Sequence, residues 1–139
     1  MEYKRIGSRI VCRIDRGEEI CEKVKEIAAL ENIGLASISA IGATCDFEVG
    51  AYNVSEKKYY PVSRQGEYEI ASLLGNLSRK GGEVYLHLHM VAAGADGCCV
   101  GGHLNRAVVS ATCEMFIDIL DGEGGRKYNP ETGLNMLVI

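Results

Sequence analysis

Residues 83–104 read EVYLHLHMVAAGADGCCVGGHL and contain all three histidines of the chain, His87, His89 and His103. The first half of this stretch alternates between apolar and polar positions, which is typical of a strand with one buried face. The aliphatic residues at 86, 88 and 90 therefore share one face, and His87 and His89 share the other with Tyr85. The aliphatic face predicts contact with a core, and the two imidazoles project side by side.

The linker GADG, residues 94–97, is too short for a helical crossover, so the segments on either side are predicted to pair antiparallel. If Ala92 pairs with Cys98, His87 stands opposite His103, and directly opposed residues point to the same side of a sheet. The residue opposite His89 is then a glycine, which leaves space for a ligand. A loop of even length would instead turn His103 to the other face.

Three neutral imidazoles on one face, with no fourth protein ligand evident from spacing, predict an open site for a divalent metal, with zinc as the best match. The remaining position would go to water or to a substrate. Such an ion lowers the pKa of bound water and polarises a carbonyl group. The alternative is that the histidines decorate a half-exposed strand, and the HxH pattern alone does not separate the two; the position of His103 favours the metal.

Candidate helpers lie in GEYEIASLLGNLS, residues 66–78. Glu67 and Glu69 share a strand face, and either could be a fourth ligand or a general base if that strand lies beside the histidines. The commoner role for such carboxylates is to face solvent. Asn76 is either a turn residue or a hydrogen-bonding group of the site, and the sequence leaves both open.

The 139 residues fit one domain, which we expect to span 1–139. An apolar stripe at helical spacing predicts one amphipathic helix over 17–31, with Asp15 as N-cap and Glu18 three positions on. Strands are predicted at 5–14, 35–41, 46–53, 58–62, 67–77, 83–92, 98–104, 107–119 and 134–138. The expected class is α+β, a largely antiparallel sheet with one main helix packed on it.

The segment DGEGGRKYNPETG, residues 121–133, is the longest irregular stretch, and it is predicted to be a mobile loop or to lie over a site.

The charge balance argues against a dedicated nucleic-acid binder, since the formal net charge is −4 and such proteins usually carry a basic face. Basic residues near the start are interleaved with apolar ones, as on a strand, and are predicted to form a solvated face. These are Lys4, Arg5, Arg9, Arg13 and Arg16.

Six cysteines occur at irregular spacing without a CxxC pair, and no secretory signal is evident, so we expect reduced thiols in a cytoplasmic protein. Cys12, Cys21, Cys45 and Cys113 have apolar neighbours and are predicted in the core. No apolar run approaches the roughly 20 residues that cross a bilayer, so no membrane association is expected.

As a set, these features resemble the plants-and-prokaryotes-conserved (PPC) domain family. The motifs that carry the resemblance span nearly the whole chain in order: RIDRGEEI, ISAIGA, GEYEIASLLGNLS, HLHMV, GGHL and YNPETGLNML. The resemblance implies an α/β sandwich assembled as a homotrimer. It also implies a metal on the histidines that match His87, His89 and His103 in prokaryotic members.

Members of this family are often described as DNA-binding proteins, and their plant relatives carry a separate AT-hook. This chain has no Arg-Gly-Arg-Pro core, and Glu67 stands where the plant motif has arginine, so both departures argue against DNA. The fold is also similar to that of acetolactate decarboxylase, in which an HxH pair and a later histidine hold a catalytic zinc.

Two functions therefore stand as hypotheses. The first is a trimeric binding or regulatory module with a structural or sensory metal, for which DNA is one candidate partner. The second is a small metal-dependent enzyme that acts on an oxygen-rich small molecule by lyase chemistry resembling that of acetolactate decarboxylase.

Overall fold

The computed structural model describes residues 1–139 and contains eight strands and one helix. In chain order these are β1 (Glu2–Ile6), β2 (Arg9–Asp15), α1 (Ile20–Leu30), β3 (Ala36–Asn53), β4 (Lys58–Lys80), β5 (Glu83–Ala93), β6 (Cys99–Ile119), β7 (Gly125–Asn129) and β8 (Leu134–Val138). Every strand pairing is antiparallel. The predicted antiparallel sheet with one helix is confirmed.

The main sheet has the order β1-β2-β6-β3-β4-β5, and β5 also pairs with β6. This additional pairing closes β3, β4, β5 and β6 into a ring, because each of the four bonds to the next. Strands β7 and β8 form a separate two-stranded hairpin that packs against β4.

Three pairs of predicted short strands are each one long strand. The segments predicted at 35–41 and 46–53 merge into β3, and the pairs on either side of residues 63 and 105 merge into β4 and β6. Register shifts in β3, between Ala40 and Gly42 and between Thr44 and Asp46, interrupt the alternation without ending the hydrogen-bonded ladder. Such bulges bend a strand, and in sequence they resemble turns.

Two further boundaries differ from the prediction. The segment predicted as one strand over 5–14 is the hairpin of β1 and β2, which turns at Gly7 with a left-handed φ of 63°. The segment 121–133 is not wholly irregular, because it contains β7.

The helix begins at Ile20, three residues later than predicted, and its N-cap is Glu19 instead of Asp15. The Glu19 carboxylate accepts hydrogen bonds from the backbone N–H groups of Cys21 (3.1 Å) and Glu22 (2.7 Å). It also accepts from the N–H of Ala107 in β6 at 2.8 Å, which ties the helix start to the sheet. The side chain of Glu18 does accept from the N–H of Asp15, but this bond lies in the turn before the helix.

The helix buries its predicted apolar stripe against the inner face of the sheet. Ile20, Val24, Ile27 and Ala28 are fully buried and belong to one apolar core with residues of the main sheet. The helix ends at Leu30 with Glu31 as its C-cap, and Asn32 follows with φ of 50°, a left-handed conformation typical of the residue after a helix. No helix of the structure is both long and apolar enough to cross a bilayer.

The six cysteines are all free. Three of the four predicted core cysteines, Cys12, Cys21 and Cys113, are buried, and Cys45 is half-buried. Burial raises the thiol pKa of Cys12 to about 11 and that of Cys21 and Cys113 to about 12, so these groups stay protonated and unreactive at neutral pH.

Candidate metal centre

The three histidines converge on one point. His87 and His89 project from β5, and His103 projects from β6 toward them. The ring centroids are 5.2 Å apart for His87 and His89, 5.4 Å for His87 and His103, and 5.7 Å for His89 and His103. The ligand nitrogens of all three rings lie within 4.8 Å of one another.

The register that brings them together differs by two residues from the prediction. His103 pairs with His89 instead of His87, and Ala92 pairs with Val100 instead of Cys98. The reason is that the five loop residues are 94–98, closed by a hydrogen bond from Gly94 N–H to the Cys98 carbonyl at 3.0 Å. The loop length is odd in both registers, so His103 keeps the predicted face.

Glycines allow the strands around the histidines to approach closely. A Cβ atom on Gly75 of β4 would lie 2.1 Å from the His87 carbonyl oxygen, and one on Gly102 of β6 would lie 2.4 Å from the Gly50 carbonyl oxygen. No side chain fits at either distance. The backbone on both sides of the site therefore depends on glycine.

The surroundings of His87 and His103 favour the neutral form of these two imidazoles. Burial lowers the pKa of His87, and the nearby His89 and the Arg126 guanidinium lower it further. Burial also lowers the pKa of His103, with smaller contributions from His87 and His89. A lower pKa leaves the nitrogen lone pairs available at neutral pH, which is the form in which histidine binds metals.

This donor set fits a divalent ion of borderline softness. Nitrogens bound to a tetrahedral zinc lie about 3.4 Å from one another, given bond lengths of about 2.0–2.1 Å. The ligand nitrogens of the three histidines lie within 4.8 Å of one another, so small side-chain rotations would bring them to the zinc-bound separation. When bound, such an ion acts as a Lewis acid and has a fourth position free of protein ligands.

A cavity of about 700 Å³ opens over the three rings. Tyr52 and Tyr59, from the paired ends of β3 and β4, line one side, and the Tyr59 hydroxyl donates to the His103 carbonyl at 3.2 Å. The β7–β8 hairpin lines the other side with mostly apolar residues. The segment 121–133 thus contributes to the site through β7, which is one of the two roles predicted for it.

Arg126 is the cavity residue that sequence reasoning missed. Its guanidinium lies over the Tyr85 ring, 4.7 Å from the centroid, and its Nε donates to the Ser78 hydroxyl at 2.8 Å. Its Nη2 donates to the side-chain oxygen of Asn76 and its Nη1 to the Asn135 carbonyl at 3.3 Å. The only sequence signal was an arginine in a glycine-rich segment.

The three predicted helper residues lie in different places. Asn76 lies within β4, pairs with His87 on the neighbouring strand and lines the cavity. Its side-chain oxygen accepts from Arg126, so it is a hydrogen-bonding residue of the cavity and not a turn residue. Glu67 and Glu69 are exposed and do not line the cavity. Glu69 pairs with Ala93, the last residue of β5, whereas His87 lies near the middle of that strand.

With its fold and histidine cluster, the chain belongs to the Plants and Prokaryotes Conserved (PCC) domain family, whose sequence model matches residues 1–121. The family predicted from the motifs is confirmed. No protein with a curated description matches the chain.

Several solved structures are similar over almost the whole chain. A metal-containing protein of Archaeoglobus fulgidus is 34% identical with a TM-score of 0.90, covering 99% of this chain and 97% of its own. A candidate DNA-binding protein of Bacteroides thetaiotaomicron is 30% identical with a TM-score of 0.95, covering 99% and 96%. A plant- and prokaryote-conserved protein of Pyrococcus horikoshii is 28% identical with a TM-score of 0.86, covering 99% and 94%.

We predict that Gly75→Ala weakens metal binding, because the added methyl forces β4 away from the His87 carbonyl and displaces that ring. Overpacking of this kind costs about 1–3 kcal/mol of stability. The matched control is Gly125→Ala, where an added Cβ meets nothing within 4 Å. Metal affinity measured by competition with a coloured chelator should fall for Gly75→Ala only; equal affinity in both variants would contradict the prediction.

Proposed function

We propose that this protein holds one divalent ion, with zinc the best match, on His87, His89 and His103, and receives a small-molecule ligand at the open position of that ion. The observation that carries the proposal is the meeting of three imidazoles in the lining of a cavity large enough for a ligand. Structural zinc sites are closed by four protein ligands, whereas sites that act on ligands keep a position open.

Two further facts support this proposal. His89 is exposed to the cavity, so an ion at the cluster is accessible from solvent. The 34% identical protein of Archaeoglobus fulgidus is described as metal-containing.

We further propose that the protein is cytoplasmic, since all six cysteines are free and disulfides are rare in that compartment.

We also propose that the protein assembles as a homotrimer through the outer face of its sheet. Val11, Phe116 and Leu74 share this face, because they lie in one row of paired residues across β2, β6, β3 and β4, with Ser39 between Phe116 and Leu74. Their exposed fractions are 36%, 45% and 57%. Large exposed apolar side chains that cluster on one face typically mark a protein contact. Leu74 pairs with His89, which pairs in turn with His103, so the interface would border the proposed metal site.

DNA binding is the second candidate function, favoured by the description of the 30% identical Bacteroides protein. The charges of this chain support it less well. In the N-terminal hairpin, Arg5 pairs with Glu31, Arg9 with Asp118, and Arg13 with Glu2 and Asp15. Arginines that are already paired offer less to phosphate groups.

Elemental analysis of the purified protein should find one divalent metal per chain. In His89→Ala the metal content should fall close to zero, because two imidazoles hold such an ion much less tightly than three. The matched control replaces Cys98 and Cys99, both exposed thiols, by serine and should keep the full content. A metal content that falls in the cysteine variant but not in His89→Ala would refute the site.

Light scattering during gel filtration should give a mass of three times 15.1 kDa. Phe116→Glu should reduce the mass to that of one chain, because it places charge in the proposed apolar contact. Leu30→Glu is the control, since Leu30 is 66% exposed at the end of the helix and lies outside the row. A monomeric wild type, or a trimer that survives Phe116→Glu, would contradict this assembly.

Gel-shift titrations with duplex DNA should show no complex even at low salt. A DNA-binding protein would instead bind at low salt and lose affinity steeply as salt rises, because its phosphate contacts release counterions. Such a salt-dependent complex would move DNA binding from the second place to the first.

A further inference from the structure

The cavity over the histidines contains no acidic side chain. Sixteen residues line it, and none of them is aspartate or glutamate. Its ionisable side chains, apart from tyrosine, are the three histidines and Arg126. The polar end of this cavity is therefore positive, and a bound divalent ion would make it more so.

Arg126 has no carboxylate partner anywhere in the protein. Arg126 is partly buried. The salt bridges of the protein that involve arginine are formed by Arg5, Arg9, Arg13 and Arg106, and none includes Arg126. Its hydrogen-bond acceptors are the neutral groups of Ser78, Asn76 and Asn135. A partly buried charge without a counterion is unusual, since desolvation disfavours it unless an anion compensates.

The guanidinium is held in place with donors to spare. Ser78 is fully buried, the Tyr85 ring lies beneath the cation, and Asn76 pairs with His87 on the neighbouring strand. An arginine side chain has five N–H donors. Three of them are used by the protein, and the other two have no protein acceptor. These contacts fix a positive charge beside the histidine cluster and leave it able to bind a ligand.

The rest of the cavity is apolar. The β7–β8 hairpin contributes Leu134, Met136 and Leu137, and the tip of the β3–β4 hairpin contributes Val54 and Tyr52. A ligand that fills this space must combine a negative group at one end with an apolar group at the other. The two free donors of a planar guanidinium match the two oxygens of a carboxylate.

We propose that the ligand of this cavity is a small organic carboxylate with an apolar substituent, and that Arg126 is the residue that selects its negative charge. The inference rests on the proposed metal site, because the ion supplies the second attraction for the anion. It goes further by naming the chemical class of the ligand and the residue that recognises it.

The test compares isobutyrate with isobutyramide, two probes of nearly the same shape of which only the first is charged. Full-length protein loaded with cobalt is titrated with each probe, and binding is followed by the visible absorption of the metal and by calorimetry. Wild type should prefer isobutyrate by about ten-fold or more, as expected when a charged hydrogen bond is available. Arg126→Gln should remove this preference, and Arg126→Lys should retain part of it.

Lys127→Gln is the matched control, since it removes an exposed positive charge next in sequence that does not line the cavity. It should bind isobutyrate as the wild type does. Metal content and thermal unfolding are measured first for every variant. A metal-loaded wild type that binds both probes equally, or an Arg126→Gln variant that keeps the preference, would overturn this inference alone. A wild type that takes up no metal would overturn the metal site and the inference with it.

Discussion

The pairing of β5 with β6 is the constraint on which the candidate site depends. It closes four strands into a ring and sets His103 directly opposite His89, while the alternation of β5 sets His87 on the same side. A slip by one residue would turn His103 to the other face and leave only a pair of imidazoles. The odd-length loop at 94–98 and the glycines of neighbouring strands fix this register by geometry, independently of any metal.

The electrostatics of the cavity give the site its chemical character. Desolvation lowers the pKa of His87 and His103. Both rings are therefore favoured in the neutral form, which can bind a metal ion, over the protonated form, which cannot. Arg126 then supplies the fixed positive charge of the wall without an acidic neighbour. Carboxylates are the preferred protein ligands of calcium, magnesium and manganese, whereas imidazoles suit zinc and related ions. A cavity with three histidines and no carboxylate therefore favours the second group of metals.

Much of the histidine cluster could be predicted from the sequence, because alternation in a strand assigns residues to faces without knowledge of the fold. His87 and His89 follow from the HxH pattern, and the shared face of His103 follows from the parity of the loop. The predicted register was wrong by two residues, since the position of a five-residue loop within AGADGC, residues 93–98, depends on backbone hydrogen bonds that composition does not specify.

Other features could not be read from local patterns. The bulges of β3 interrupt alternation in the same way as a turn, so one long strand was predicted as two. The helix N-cap is Glu19 and not the predicted Asp15. The Glu19 carboxylate also accepts a hydrogen bond from the backbone N–H of Ala107, which lies 88 residues away in sequence and is not visible in a local pattern. Arg126 lines the cavity because the β7–β8 hairpin packs on β4. This packing is a long-range contact, and the sequence around Arg126 does not indicate it.

X-ray absorption at the zinc edge of the zinc-loaded protein tests the central claim most directly, because it counts and identifies the atoms bound to the metal. The account predicts three imidazole nitrogens at about 2.0–2.1 Å, with oxygen from water or from an added carboxylate completing the shell. Sulfur neighbours at about 2.3 Å, or fewer than three imidazoles, would contradict it.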